Sequence, residues 1–479
     1  FIYGLRSAAP VEFRRNIKYC FPTGSSSRLS PHPQNNATVI PMPSQTLALG
    51  RKDLPKAPPL RKLIGPSFII LGLGLGSGEV VLWPYMASNY GLGIVWGMLI
   101  GITMQFFINM EVERYALING ESIFVGFARL LRWLPAWFMI STFLGFGWPG
   151  IGLYGATLLS TAFGLSNPNL LAIVLFVAIG LILSLGTVLY KTVETLQKYV
   201  ISIGVPFIVI LTYSLASRAD VGELVNGLMG QGMLNGEPYH FLPVGIAMGT
   251  FLGALAYAGA GGNLNLTQSC YVRDKGYGMG KYADKITSLV TAKGGKQACK
   301  LTGNTFPTTK KNVKRFEQWW KAVNTEHFLV FWALGLFTML TLSLLAYITT
   351  FGLSDNAEGI NFVVNEAVAI GERTFPFLGA LFLVVTGIML VATQLTVLDS
   401  TSRIITENLL LLTNKKSIRV SKVYYTILWI QILFGIAVFS AGFDQPLTLI
   451  VLGAMINAFS MFIYTGIILV LNNKLLAKV

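Results

Sequence analysis

The sequence predicts an all-α integral membrane protein with ten membrane-spanning helices. Hydrophobic residues make up 53% of the chain and charged residues only 12%, more apolar surface than a soluble fold can bury. The apolar residues gather in runs long enough to cross a hydrocarbon layer of about 30 Å. Lys and Arg sit between those runs and favour alternate connections, as topology control by positive charge requires. Helices are the default spanning element because each satisfies its own backbone hydrogen bonds in lipid. The 50 glycines suit closely packed membrane helices.

In chain order, residues 1–60 hold no spanning run. The stretch 25–43 is rich in Ser, Pro and Asn and reads as disordered. Arg6, Arg14, Arg15 and Lys18 with a lone Glu12 resemble a transit peptide; the preferred reading is sequence translated ahead of a start at Met42. The runs follow near 65–89, 92–115, 137–163, 169–189, 198–217, 241–270, 327–350, 375–398, 421–441 and 446–471. They divide into halves of five, 61–218 and 241–472, with an insertion at 271–326.

Charge sets the orientation. Arg51, Lys52, Lys56, Arg61 and Lys62 precede the first run; Arg129 and Arg132 follow the second; Lys191 and Lys198 follow the fourth. The 271–326 insertion follows the sixth, Lys415, Lys416, Arg419 and Lys422 follow the eighth, and Lys474 and Lys478 end the chain. Opposite connections carry Asp220, Glu223, Glu237, Asp355, Glu358, Glu366 and Asp444, with Arg218 a minor exception. Both termini are therefore expected in the cytoplasm, in a plasma or inner membrane.

The net charge of +15 thus reads as topology, and nucleic acid is not an expected partner, since nothing in the insertion resembles a known module. Within it, Phe316, Trp319, Trp320 and Val323 recur at helical spacing among Lys314, Arg315 and Lys321, predicting an amphipathic helix on the cytoplasmic surface. Cys20, Cys270 and Cys299 are far apart, and His32, His240 and His327 are scattered, none deep in a run. No redox centre, His-ligated metal or cofactor is expected.

The chemistry is expected where helices break. The first run carries Gly72, Gly74, Gly76, Ser77 and Gly78 before Glu79; the sixth carries Gly259, Gly261 and Gly262 before Asn263. Glycine tolerates unwound backbone, which frees carbonyls for a cation and amides for an anion. One such run would read as close packing. Two runs opening corresponding halves point to a binding site built on an inverted repeat. Glu79 lies well inside its run, and an intramembrane carboxylate is functional by default. In the eighth run Thr396, Asp399, Ser400, Arg403 and Glu407 share a helix face, and Asp399 and Arg403 can pair. Thr396, Asp399 and Ser400, with Gln394, are candidates for a coupling-ion or supporting role. Gln394 and Asn457 are lone intramembrane amides, for which interhelical hydrogen bonds are the preferred reading.

These segments resemble the natural resistance-associated macrophage protein (Nramp) family of divalent-metal transporters. The likeness runs through Gly65-Pro66-Ser67-Phe68 to Tyr90-Gly91, Glu113 to Gly120, Ala258 to Ser269 and Ala392 to Glu407. It implies the LeuT-type fold, two inverted five-helix repeats with broken helices 1 and 6, and alternating access to a site between the breaks. The chain departs from the family where that family binds metal. Gly76-Ser77-Gly78-Glu79 stands in place of Asp-Pro-Gly-Asn, and Gly261-Gly262-Asn263 in place of Met-Pro-His. The run from Phe143 to Phe163 lacks the acidic residues that the family uses for protons. Gly76-Ser77-Gly78 also resembles the turn that holds a substrate carboxylate in amino acid–polyamine–organocation transporters.

Two substrates follow as expectations. A metal would be held by Glu79, Asn263 and carbonyls near Gly76 and Gly259, hard oxygen donors suited to magnesium or manganese. A small organic solute, such as an amino acid, would use the same glycine breaks. A membrane enzyme is not favoured, because no nucleophile–base pair is evident.

Overall fold

The structure is a computed structural model that describes residues 49–59, 63, 65–185, 189–284, 301–353, 356, 361–413, 420–443, 445–474 and 476. Residues 1–48, with the Ser/Pro-rich stretch and Met42, lie outside the described residues, as do Arg61, Lys62, Asp355, Glu358, Lys415, Lys416, Arg419, Asp444 and Lys478.

Among the described residues, nine helices are long and apolar enough to cross a membrane. They are Pro66–Tyr90, Leu92–Asn119, Leu134–Phe163, Pro168–Leu185, Leu189–Leu215, Lys310–Thr350, Pro376–Thr413, Val420–Ser440 and Pro446–Lys474. The remaining span, sixth in chain order, is divided into Met248–Ala256, Gly262–Thr267 and Gln268–Lys275. Its joint needs glycine: Gly261 and Gly262 have φ of 75° and 48°, where a side chain would be strained.

The first span is interrupted differently. Unwound backbone was expected at Gly76–Gly78. The chain instead passes from α-helix (Pro66–Ser77) through one π-helical turn (Gly78–Leu82) into α-helix again (Trp83–Tyr90), and the Gly78 amide donates to the Gly74 carbonyl. A π turn inserts a residue without opening the helix, and such bulges recur at functional sites. Burial explains the preference: 94% of the most apolar stretch of this span is buried, against 33% for the fourth, fifth and tenth. Unwound amides in that interior would lack partners. The first span is therefore the central helix, and the fourth, fifth and tenth form the outer wall.

The eighth span is longer than its apolar run. It extends from Pro376 to Thr413, so Asp399–Glu407 lies inside it and is buried. The third span is jointed between Phe146 and Gly150, where Pro149 has no amide to continue the helix.

Outside the spans lie two short helices, Ile123–Leu130 and Arg218–Leu228, and a hairpin pairing Gln231–Leu234 with Glu237–His240. The hairpin turns at Asn235 and Gly236, both at positive φ, the backbone that Asn-Gly favours. The helix Asn361–Arg373 buries Glu366, where the charge pattern predicts a connecting loop.

Helix Lys310–His327 forms where Phe316, Trp319, Trp320 and Val323 predict it. Part of its apolar face packs on protein, while Phe316 and Trp320 are half-buried. Trp319 and Val323 are buried with Leu54, Met110, Leu117, Val272 and Met279, while Lys310, Lys311, Lys314 and Lys321 remain exposed. The helix then continues through a π turn, Phe328–Ala333, into the seventh span.

Candidate functional site

Glu79 is the first residue after Gly78 in the π turn and is fully buried. Neither of its carboxylate oxygens has a hydrogen-bond partner among the described residues. Gly74 makes room for it, since a Cβ there would lie 3.1 Å from Oε1, and Gly335 of the seventh span lies alongside, an added Cβ standing 3.6 Å from the same oxygen. The added Cβ on Gly74 would also come within 2.9 Å of the Gly259 backbone. Glu79 thus stands where the first, sixth and seventh spans converge.

The two predicted glycine runs are in contact. A Cβ on Gly78 would lie 1.7 Å from the Tyr257 carbonyl oxygen, so only glycine permits this approach. On the other face, a Cβ on Gly76 would meet the Thr393 side chain at 2.4 Å, and Thr393 donates to the Gly72 carbonyl at 2.8 Å. Gly78→Ala should therefore force the first and sixth spans apart. Its expected cost is about 1–3 kcal/mol or more, read as a lower Tm; an unchanged Tm would contradict this packing.

Gln105 of the second span braces the sixth. Its amide nitrogen donates to the Ala256 carbonyl at 3.0 Å, and its oxygen accepts from the Gly261 amide at 3.1 Å and from Asn265 at 3.2 Å. Asn263 faces the third span, donating to Ser141 at 2.8 Å and Thr142 at 2.9 Å. Its Oδ1 has no partner among the described residues. Gly262 is closed over by Asn457, whose Oδ1 would sit 2.0 Å from an added Cβ. Glu79 thus lies beside the seventh span while Asn263 faces the third, and no hydrogen bond joins the two among the described residues.

The eighth-span candidates are bound into the fold. Gln394 accepts from the Gly152 amide at 3.0 Å. Thr396 accepts from Gln197 at 2.5 Å. Asp399 pairs with Arg403 at 2.9 Å and accepts from Tyr271 and Tyr424 at 3.0 and 2.7 Å. Tyr271 also contacts the Ser400 hydroxyl at 2.7 Å. Arg403 continues to Asp274 at 2.5 Å, Asp274 to Arg273 at 3.0 Å, and Arg273 to Glu407 at 2.5 Å, which accepts in turn from Ser122. All five charged groups are buried. The chain of ion pairs fastens the second half of the sixth span to the eighth.

Several polar residues escaped the sequence reading. Arg273 and Asp274 counted as loop, although they end the sixth span. His327, the first residue of the seventh run and not deep in it, is buried, stacked between Phe106 and Phe331 with centroids at 5.5 and 4.7 Å. Gln105, Asn109 and Glu113 form a buried polar stripe along the second span. Their spacing of four places them on one helix face, a signal readable in the sequence.

The sequence matches no protein-family model and no curated protein. Solved structures share its fold. A single-residue variant of the manganese transporter of Eremococcus coleocola superposes with a TM-score of 0.56, at 12% identity, over 86% of this chain and 79% of that one. The same transporter in complex with an aromatic bis-isothiourea compound gives 0.55, at 12% identity, over 88% and 80%. The chain has the LeuT-type all-α membrane fold. At this identity the likeness establishes the fold alone.

Proposed function

We propose that this protein is a secondary active transporter that works by alternating access and carries a cation at Glu79, coupled to protons or sodium. The observation that carries the reading is Glu79, a buried carboxylate without a partner at the π turn that abuts the broken sixth span. A buried carboxylate that lacks a counter-ion must bind a proton or a cation.

The favoured cargo is a hard divalent cation, magnesium or manganese. Among the described residues, no three His, Cys, Asp or Glu gather as a metal site. The available donors are one carboxylate, the Asn263 carboxamide oxygen and main-chain carbonyls, which suit hard cations. One negative charge under-compensates a divalent ion, so it would bind weakly and keep part of its water. The fold-level likeness to a manganese transporter agrees with this reading. Gly76-Ser77-Gly78 stays helical and the Gly78 amide is bonded within the helix, which counts alike against a carboxylate cradle of free amides and against free carbonyls near Gly76 as metal ligands.

Calorimetric titration of the purified protein tests the proposal. Weak, saturable binding of manganese or magnesium is expected, abolished by Glu79→Gln, with cadmium and zinc binding poorly. Tight cadmium binding would overturn the choice of a hard ion. Saturable amino acid binding without any divalent-metal binding would replace the cation with an organic solute.

A further inference from the structure

The helix Lys310–His327 grips the chain that leads into the first span. Asn312, Arg315, Trp319, Val323 and Glu326 recur at spacings of three, four, four and three, which sets them on one helix face. Asn312 Oδ1 accepts from the Leu54 amide at 3.3 Å, Arg315 donates to the Leu54 carbonyl at 2.6 Å, and Trp319 donates to the Pro55 carbonyl at 2.8 Å. Trp319 and Val323 are buried in one cluster with Leu54 and Leu63. Glu326 accepts from the Gly65 amide at 3.3 Å and from the Ser67 hydroxyl. Gly65 gives the first span no side-chain cap, so the helix start takes its side-chain partner from Glu326.

Residues 50–55 form a strap with a second edge. Gly50 and Arg51 pair with Asn304 and Thr305 in a parallel ladder, and the Lys52 amide donates to the Thr305 carbonyl at 2.9 Å. Tyr282 donates to the Asp53 carbonyl at 2.9 Å. The partner strand is itself anchored: the Gly303 amide donates to Glu121 at 2.9 Å, and Arg129 and Tyr115 donate to the same carboxylate at 2.8 and 2.7 Å. The strap's backbone is thus bonded by side chains and a two-residue ladder, not by a helix or sheet of its own. Arg51, Lys52, Asp53 and Lys56 stay exposed, and the solvent-exposed Lys311–Asp53 pair adds little. Such a dock fixes one position but holds it with few bonds.

Pro55, Pro58 and Pro59 stiffen the stretch between the strap and the first span, so motion at one end is passed to the other. We propose that residues 50–55 are a releasable strap that, docked on the Lys310–His327 helix, holds the start of the first span in place. While it is docked, the strap and Glu326 fix the chain on both sides of Leu63. When it lifts, the start of the central helix is free to move. The use of that movement as a gate rests on the alternating-access reading above; the docking itself does not.

A disulfide across the strap tests this. A Cβ on Gly50 would lie 4.0 Å from the Asn304 Cβ, within the span of a disulfide. Gly50→Cys with Asn304→Cys, in the full-length protein with Cys20 and Cys299 changed to Ser, is locked by oxidation and freed by reduction. Hydrogen–deuterium exchange across residues 66–75, in lipid nanodiscs, should slow several-fold on locking. Asn312→Ala and Trp319→Phe each remove a bond to the strap and should speed that exchange several-fold. If either fails to fold, the disulfide decides, because it is compared with the same protein reduced. Manganese transport by the disulfide variant should stop on oxidation and return on reduction, with manganese binding unchanged. Equal exchange in the locked and freed protein, with the disulfide confirmed by mass, would overturn the strap. So would full transport with the disulfide formed. A protein that moves no manganese in either state would count against the proposed function, and exchange alone would then decide the strap.

Discussion

Glu79→Gln is expected to lower transport of manganese or magnesium into proteoliposomes by about tenfold or more, with the fold intact. The substitution keeps the side-chain volume and removes only the charge. Because neither oxygen of Glu79 has a hydrogen-bond partner among the described residues, no structural bond is lost. Burying an uncompensated carboxylate is costly, so the Tm should stay level or rise. Lower transport together with undiminished stability is the signature of a residue kept for binding. Transport that is unchanged, with the same dependence on pH and sodium, would make Glu79 structural and remove the main support for the proposed site.

The largest expected loss of stability comes from Arg403→Met. Arg403 is fully buried and holds both Asp399, at 2.9 Å, and Asp274, at 2.5 Å. Removing it leaves Asp399 without an ion-pair partner and Asp274 with Arg273 alone, and losing one partner of a buried pair costs about 3–5 kcal/mol. Little folded protein should be recovered. A second substitution, Asp399→Asn, removes the stranded charge and should restore part of the yield and Tm; Tyr271 and Tyr424 can still bond the amide. Thermal unfolding of the single and double variants measures both effects. A fall in Tm equivalent to less than about 1 kcal/mol, the level of a solvent-exposed pair, would show that this network does not fasten the sixth span to the eighth.

How far the site could be read from the sequence depended on what kind of signal each residue left. Gly78 and Gly259 announced themselves because glycine runs are conspicuous in apolar helices, and Glu79 because a carboxylate there is conspicuous too. The pairing of Asp399 with Arg403 was readable from their spacing of four. Arg273 and Asp274 were not, because charge at the edge of an apolar run looks like solvated loop. Only a partner from another span, Arg403 or Glu407, makes their burial tolerable. Glu326 and His327 were hidden in the same way at the start of the seventh span.

By itself the sequence determined that this is an all-α membrane protein, where its apolar runs lie and which two of them are interrupted. Those features follow from local composition: apolar length answers to bilayer thickness, and glycine to backbone freedom. Only the tertiary structure decided what form the interruptions take and which polar groups face one another. The Gly76–Gly78 segment stayed helical and entered a π turn at Gly78, because packing against Tyr257 and Thr393 leaves no room for unwound backbone. The Trp319 face turned to protein because Leu54, Met110 and Val272 cover it. The bond from the Gly65 amide to Glu326 joins residues more than two hundred positions apart. In a membrane interior, a polar side chain is stable only with partners, and those partners come from other helices.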